Sequence, residues 1–195
     1  EAGVVQPVAE IGNQIEKYRR DNEVEYPVLH TDACQAAGAL EIDVRKIHVD
    51  LMTLNGSKSY GSKGIGLLYK RRGLKVEPLV YGGGQESGLR PGTENVAGAV
   101  GLAKALELAL QDQKKETERL IGLRDKLISE IKDQIPKVRL NGHATERLPN
   151  NVNVSIGDVE GEALLLYLDA QGIYCSTGSA CTSTSLDPSH VLLAL

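Results

Sequence analysis

The sequence predicts an α/β chain of two domains, and three observations predict it. Short apolar runs ending in Asp, Asn, Gly or Ser alternate with helical or loop segments, the pattern of a sheet flanked by helices. A long helical stretch carries a segment that is polar on all sides, which marks a place where one domain gives way to another. Beyond that stretch, strand-like and helix-like segments alternate again. The boundary is placed near residue 110, giving domains 1–109 and 110–195.

The elements follow in order. Ile11 to Arg20 reads as the end of a helix, with Ile11 and Ile15 four apart and charges after them. "YPVLHTDA" (Tyr26 to Ala33) is a short apolar strand with a polar end. "VDLMTLNG" (Val49 to Gly56) is a second, and "GIGLLYK" (Gly64 to Lys70) a third. A glycine-rich loop spans Tyr81 to Val96. The helical stretch runs from Glu94 to Ile135, with apolar positions at Leu102, Leu106, Leu110, Leu120, Leu127 and Ile131. Its middle, "QDQKKETE", either bridges solvent or breaks the helix. Pro136 ends it. A strand ("NVNVSIG"), a helix ("EGEALLLYLDAQG") and a strand ("IYCS") follow, then a glycine–serine loop around Cys181 and a last apolar helix from Pro188.

Composition narrows the function classes. A hydrophobic content of 41% with 25% charged residues is that of a globular protein. The net charge of -4 offers no electrostatic reason to expect nucleic acid or an anionic membrane as partner. No apolar run reaches the roughly 18 residues of a membrane span, and no basic-then-apolar leader opens the chain. Three cysteines argue against a disulfide framework, so cytoplasm is the expected compartment. There is no Phe or Trp, so aliphatic residues must fill the core. A start at Glu1 reads as the interior of something longer.

Several residues can carry chemistry. "NGSKSYGSKGIG" nearly spells a nucleotide-binding phosphate loop, but the second glycine, Gly61, is followed by Ser62, and Lys63 comes one place late. Lys58, after an apolar strand and flanked by Gly56, Ser57 and Ser59, is the alternative. Apolar surroundings there would disfavour its ammonium, as a Schiff-base lysine requires, although lysines beside glycine loops are commonly just solvated. Asp32 ends a strand, with Gln35 three residues on. It is either a cap or the partner of a cationic ring nitrogen, the acid that pyridoxal phosphate needs. Asp32 and Lys58 fall at the carboxyl ends of consecutive strands, where open α/β sheets gather ligands.

Cys181 lies among small hydroxylic residues in "STGSACTSTS", a setting that favours exposure and reactivity. Cys34 and Cys175 read as small packing residues in or at the ends of strands. The four histidines are scattered, no Cys/His spacing suits zinc and no metal is expected. There is no nucleophile elbow to support a Ser–His–Asp triad.

Four motifs, "HTDACQAAG", "DLMTLNGSKSYGSKGIGLLY", "GGGQESGLRPGTENV" and "STGSACTSTSLDPSHVLLAL", stand in the order seen in cysteine desulfurases, which are fold-type I pyridoxal-phosphate enzymes of the class V aminotransferase kind. The resemblance covers essentially the whole chain. It implies the later part of the large cofactor-binding domain, with a mostly parallel sheet and helices, over residues 1–109. A truncated smaller α/β domain is implied over 110–195. The implied reaction takes sulfur from L-cysteine, leaves L-alanine and holds the sulfur as a persulfide for iron–sulfur clusters or tRNA thiolation.

Carried over by position, Lys58 would hold the cofactor covalently. Asp32 would pair with the ring nitrogen, and Gln35 would hydrogen-bond the ring's phenolic oxygen. Asn55 and Ser57 would face the phosphate of pyridoxal 5′-phosphate, and Thr93 would reach the phosphate in the other subunit of a homodimer. Cys181 would carry the persulfide to a sulfur-acceptor or scaffold protein.

The chain departs from the family at Ser57, where a histidine is usual, at Asn55, where a serine is usual, and at Ser62, where a proline is usual. The family's upstream residues that stack on the cofactor, and its downstream arginine for the substrate carboxylate, are absent from the chain. A selenocysteine lyase, another class V aminotransferase, or a fragment inactive by itself are the rival expectations.

Overall fold

A computed structural model of the chain describes residues 1–178 and 189–195. The described residues form two compact units, Pro7–Glu116 and a second built from Glu1–Gln6 with Thr117–Leu195.

The first unit begins with α1 (Val8–Asn22), which starts after Pro7 and ends at Glu23 in the left-handed conformation, with Arg19 and Arg20 in its last turn. Strand β1 (His30–Asp32) is followed by a turn and by α2 (Val44–Ile47), whose first turn is capped by the Asp43 carboxylate accepting from Arg45 N–H at 3.0 Å. Strand β2 (Leu51–Asn55) pairs in parallel with β1, placing Asp32 in register with Thr53. Strand β3 (Gly66–Lys70) pairs antiparallel with β2, so the three-stranded sheet of this unit is mixed. The β2–β3 connection is short enough for an antiparallel return, whereas β1 and β2 need the longer crossover through α2.

The pleat sorts the side chains of β2. Met52 and Leu54 are buried and form one core with Ala33 and Val49, covered by Val8, Ile42, Val44, Ile47 and Leu106. Helix α1 sits close to α2 because position 12 is glycine: an added Cβ would lie 2.4 Å from the Ile47 carbonyl oxygen.

Asp50, just before β2, is the most buried side chain of the described residues, at 1% exposure. It accepts from Arg19 (Nη2, 2.5 Å; Nη1, 3.2 Å), from Arg71 Nε (2.6 Å) and from Leu29 N–H (2.8 Å). A carboxylate this deep survives because both oxygens are hydrogen-bonded and charge-paired.

Helix α3 (Val96–Gln134) runs unbroken through the polar stretch Gln111–Glu118, and the division between the two units falls inside that stretch. In the second unit, β4 (Val138–Leu140) and β5 (Val154–Ile156) pair antiparallel. Residues Glu1–Gln6 join this unit: Val4 bridges Arg147, Val5 N–H donates to Glu146 O at 3.0 Å, and Leu148 N–H donates to Gly3 O at 2.7 Å. Arg147, 4% exposed, ties the segment further by donating to Ala2 O (3.1 Å) and His143 O (3.0 Å). Helix α4 (Gly161–Ala170) is capped by Glu160, and α5 (His190–Leu193) by Ser189.

Two expectations are corrected. The run Ile173–Ser176 is not a strand, and Cys175 is exposed, not a packing residue. Glycine at 172, in the left-handed conformation, ends α4 in a turn, and among the described residues no strand pairs with the residues after it. Strand β4, beginning just after Pro136, is an addition to the expected elements, its three residues being too few to show a period. Among the described residues, no helix is long and apolar enough to cross a membrane.

Candidate functional site

The parallel pairing of β1 and β2 brings their carboxyl ends to one edge of the sheet, and the residues singled out at those ends follow from it. Asp32 is the last residue of β1. Asn55 is the last of β2, and Gly56–Ser59 continue as a single 3-10 turn that carries Lys58. Within that turn Gly56 and Ser59 are buried while Ser57 and Lys58 are exposed. The apolar surroundings expected for Lys58 are therefore not supplied by the described residues, because a turn only four residues long can turn just its first and last positions inward.

Gly56 serves packing, and Gly64 serves the backbone turn. A Cβ at Gly56 would lie 2.7 Å from Ile65 Cγ2 and 2.8 Å from the Ser62 carbonyl oxygen. Gly64 has φ +76°, a left-handed backbone that glycine adopts without penalty. The 3-10 turn of the motif leads into strand β3 and not into an α-helix, so its backbone does not form the strand–loop–helix cradle of a nucleotide site.

Asn55 and Ser57 are already engaged with each other. Asn55 Oδ1 accepts from Ser57 N–H at 2.8 Å and from Ser57 Oγ at 2.7 Å, which caps the turn. The donor this pair leaves for an anion is the Asn55 amide Nδ2, with the Ser57 hydroxyl available if it rotates. Ser59 Oγ is buried without a partner in the same turn.

Asp32 is exposed and its Oδ1 accepts from Cys34 N–H at 2.9 Å. The Cys34 thiol and then this N–H hold the Asp32 carboxyl below the usual carboxylate range, with His30 adding to the effect against a small burial cost. His30 is fixed across the pair by Nε2 and Thr53 Oγ1, 2.8 Å apart. An ionised carboxylate is what a cationic ring nitrogen requires. A primary amine, an ionised carboxylate and amide and hydroxyl groups at one sheet edge form a donor set that fits pyridoxal phosphate.

Gln35 is exposed in the turn after β1, and Thr93 is exposed in the loop before α3. Cys181 lies outside the described residues. Sequence reasoning set Cys34 aside as packing, yet it is the residue that contacts Asp32. The Asp-x-Cys spacing was the available signal, since a carboxylate often accepts the N–H two residues on. The apolar hollow lined by Leu40, Ile42, Met52, Leu54, Leu106 and Leu110 includes none of the site residues.

The family model for aminotransferase class-V matches residues 1–195. The chain belongs to the aminotransferase class-V family. Among members of the family, it is 52% identical over 194 residues to a cysteine desulfurase IscS of Methanosarcina thermophila, covering all of this chain and 46% of that protein. It is 49% identical over 197 residues to one of Clostridium botulinum, covering 48% of it. The chain thus spans about half the length of these curated relatives. Among solved structures, a NifS-like protein matches with a TM-score of 0.81 and 35% identity, over 91% of this chain and 47% of that one. A structure described as SspA in complex with cysteine matches with a TM-score of 0.69 and 33% identity, over 98% and 50%.

Proposed function

We propose that the intact protein carrying this chain is a cysteine desulfurase that takes sulfur from L-cysteine and leaves L-alanine. The observation that carries the reading is the placement of Asp32 and the Asn55–Lys58 turn at the carboxyl ends of a parallel strand pair, in a class-V aminotransferase chain. When bound, pyridoxal 5′-phosphate supplies an electron sink for the carbon from which a proton is removed.

Lys58 Nζ is the amine that would hold the cofactor's aldehyde carbon and, once freed by the substrate amine, carry the Cα proton. Asp32, kept ionised, would hold the proton on the ring nitrogen. Gln35 would donate to the phenolic oxygen, Asn55 and Ser57 would face the phosphate, and Thr93 would serve the phosphate of a second copy in a homodimer.

The Cys181 thiolate would attack the substrate sulfur. An S–S bond forms, the substrate C–S bond breaks, and its electron pair leaves with the carbon, which is protonated to alanine. The persulfide would pass to an acceptor or scaffold protein. In this reading Pro7–Glu116 belongs to the large cofactor-binding domain and residues from 117 onward to the small one, and the protein works in the cytoplasm.

Two variants of the intact protein test the reading. Lys58→Ala should abolish the visible absorption that develops on adding pyridoxal 5′-phosphate. Cys181→Ser should abolish alanine release from L-cysteine while leaving that absorption in place. An intact protein that stays colourless with added cofactor, or a Cys181→Ser variant with undiminished turnover, overturns it.

A further inference from the structure

Cys34 is half-buried directly behind the exposed Asp32. Its backbone N–H is already committed to the Asp32 carboxylate, and its side chain makes a separate contact: Sγ lies 3.7 Å from Thr53 O. That carbonyl also accepts Ala33 N–H at 3.0 Å. Thr53 is the β2 residue in register with Asp32, and β2 runs on into the turn that carries Lys58. The thiol is therefore flanked by the carboxylate on one side and by the strand leading to the lysine on the other.

We infer that the Cys34 thiol is a positioning residue, tying the turn that bears Asp32 and Gln35 to the strand that bears Lys58 and so setting the spacing between acid and amine. The inference rests on the proposed cofactor site and gives a role there to a residue that the family resemblance leaves without one.

The chemistry of the thiol suits the role. Burial first, then the hydrogen bond and charge of Asp32, push the Cys34 thiol up to about 11, while the Lys58 charge pulls the other way. The group is therefore a protonated donor at neutral pH. A protonated thiol is also a poor nucleophile, so Cys34 can stand beside the lysine without competing for its electrophile or for sulfur.

In the intact protein, Cys34→Ala should weaken pyridoxal 5′-phosphate binding roughly twofold to fivefold, the range for losing one weak donor, read by titrating visible absorption. Cys34→Ser keeps a donor and should restore wild-type affinity. Equal affinity in Cys34→Ala and wild type, or a Cys34→Ser variant as weak as Cys34→Ala, overturns the inference.

A second measurement uses no cofactor. Asp32→Asn removes the anion beside the thiol and should speed alkylation of Cys34 by iodoacetamide at about pH 8 by roughly threefold or more, with exposed Cys175 as the internal control. An unchanged Cys34 rate overturns the inference as well. If the wild-type protein gains no absorption with cofactor, the proposed function fails, while the alkylation arm still decides whether the Cys34 thiol lies against the Asp32 carboxylate.

Discussion

Replacing Asp50 by asparagine should destabilise the protein by about 3 kcal/mol, and the figure follows from what surrounds the carboxylate. Breaking a buried ion pair from one side costs about 3–5 kcal/mol, because the remaining charge is left without compensation. Arg19, 13% exposed, fits that description, whereas Arg71, 45% exposed, regains water and brings the cost to the low end. The asparagine amide cannot serve every donor. Its NH2 must take the place of Oδ1, facing Arg19 Nη1 and Arg71 Nε, or of Oδ2, facing Arg19 Nη2 and the Leu29 N–H, and the donors it faces lose their acceptor.

Urea denaturation of the intact protein at neutral pH is the assay. For a slope of about 2 kcal/mol/M, the midpoint should fall by about 1.5 M. The carboxyl also predicts a pH dependence. Burial alone would raise it, but hydrogen bonds from Arg19, the Leu29 N–H and Arg71 outweigh burial and hold it below its ordinary 3.8. A depressed carboxyl stabilises fully above the unfolded-state value and loses that contribution as pH falls through the folded-state value. The gap between wild type and Asp50→Asn should therefore close on acidification below about pH 4. A midpoint shift under about 0.3 M at neutral pH, or a gap that does not narrow in acid, would refute the reasoning.

Three further outcomes are expected. Gly12→Ala should cost about 1–3 kcal/mol by overpacking, read from the urea midpoint, because its Cβ meets a backbone carbonyl that cannot rotate away. Arg147→Ala should loosen the Glu1–Gln6 segment, seen as faster hydrogen exchange at Val5 and Leu148, whose N–H groups lie in the pairing that Arg147 braces. Asn55→Ala removes the cap of the Lys58 turn and should cost about 1 kcal/mol of stability, with weaker cofactor binding following from the lost amide donor.

Much of the fold was legible because its signals are local. The strands ending at Asp32 and Asn55 and the helix from Val96 to Gln134 show in apolar runs and helical spacing read along the chain. Two short elements, β4 and α2, were not legible, since three or four residues by themselves display no period. The antiparallel return of β3 and the union of Glu1–Gln6 with residues from 117 onward depend on partners distant in sequence.

The sequence by itself determined the family, the order of the motifs and the residue types offered for chemistry, because motifs are matters of identity and spacing. Only the tertiary structure decided which of those residues meet. Parallel pairing sets Asp32 opposite Thr53 and carries Lys58 to the same edge, and the pleat sends Met52 and Leu54 into the core on the other face. It also decided that Ser57 spends both donors on Asn55, that Lys58 is exposed, and that Cys34 stands against Asp32 and Thr53. The physical reason is the same in each case. Hydrogen bonds and burial are settled by distances between strands, and those distances are set by sheet register, which no stretch of sequence displays.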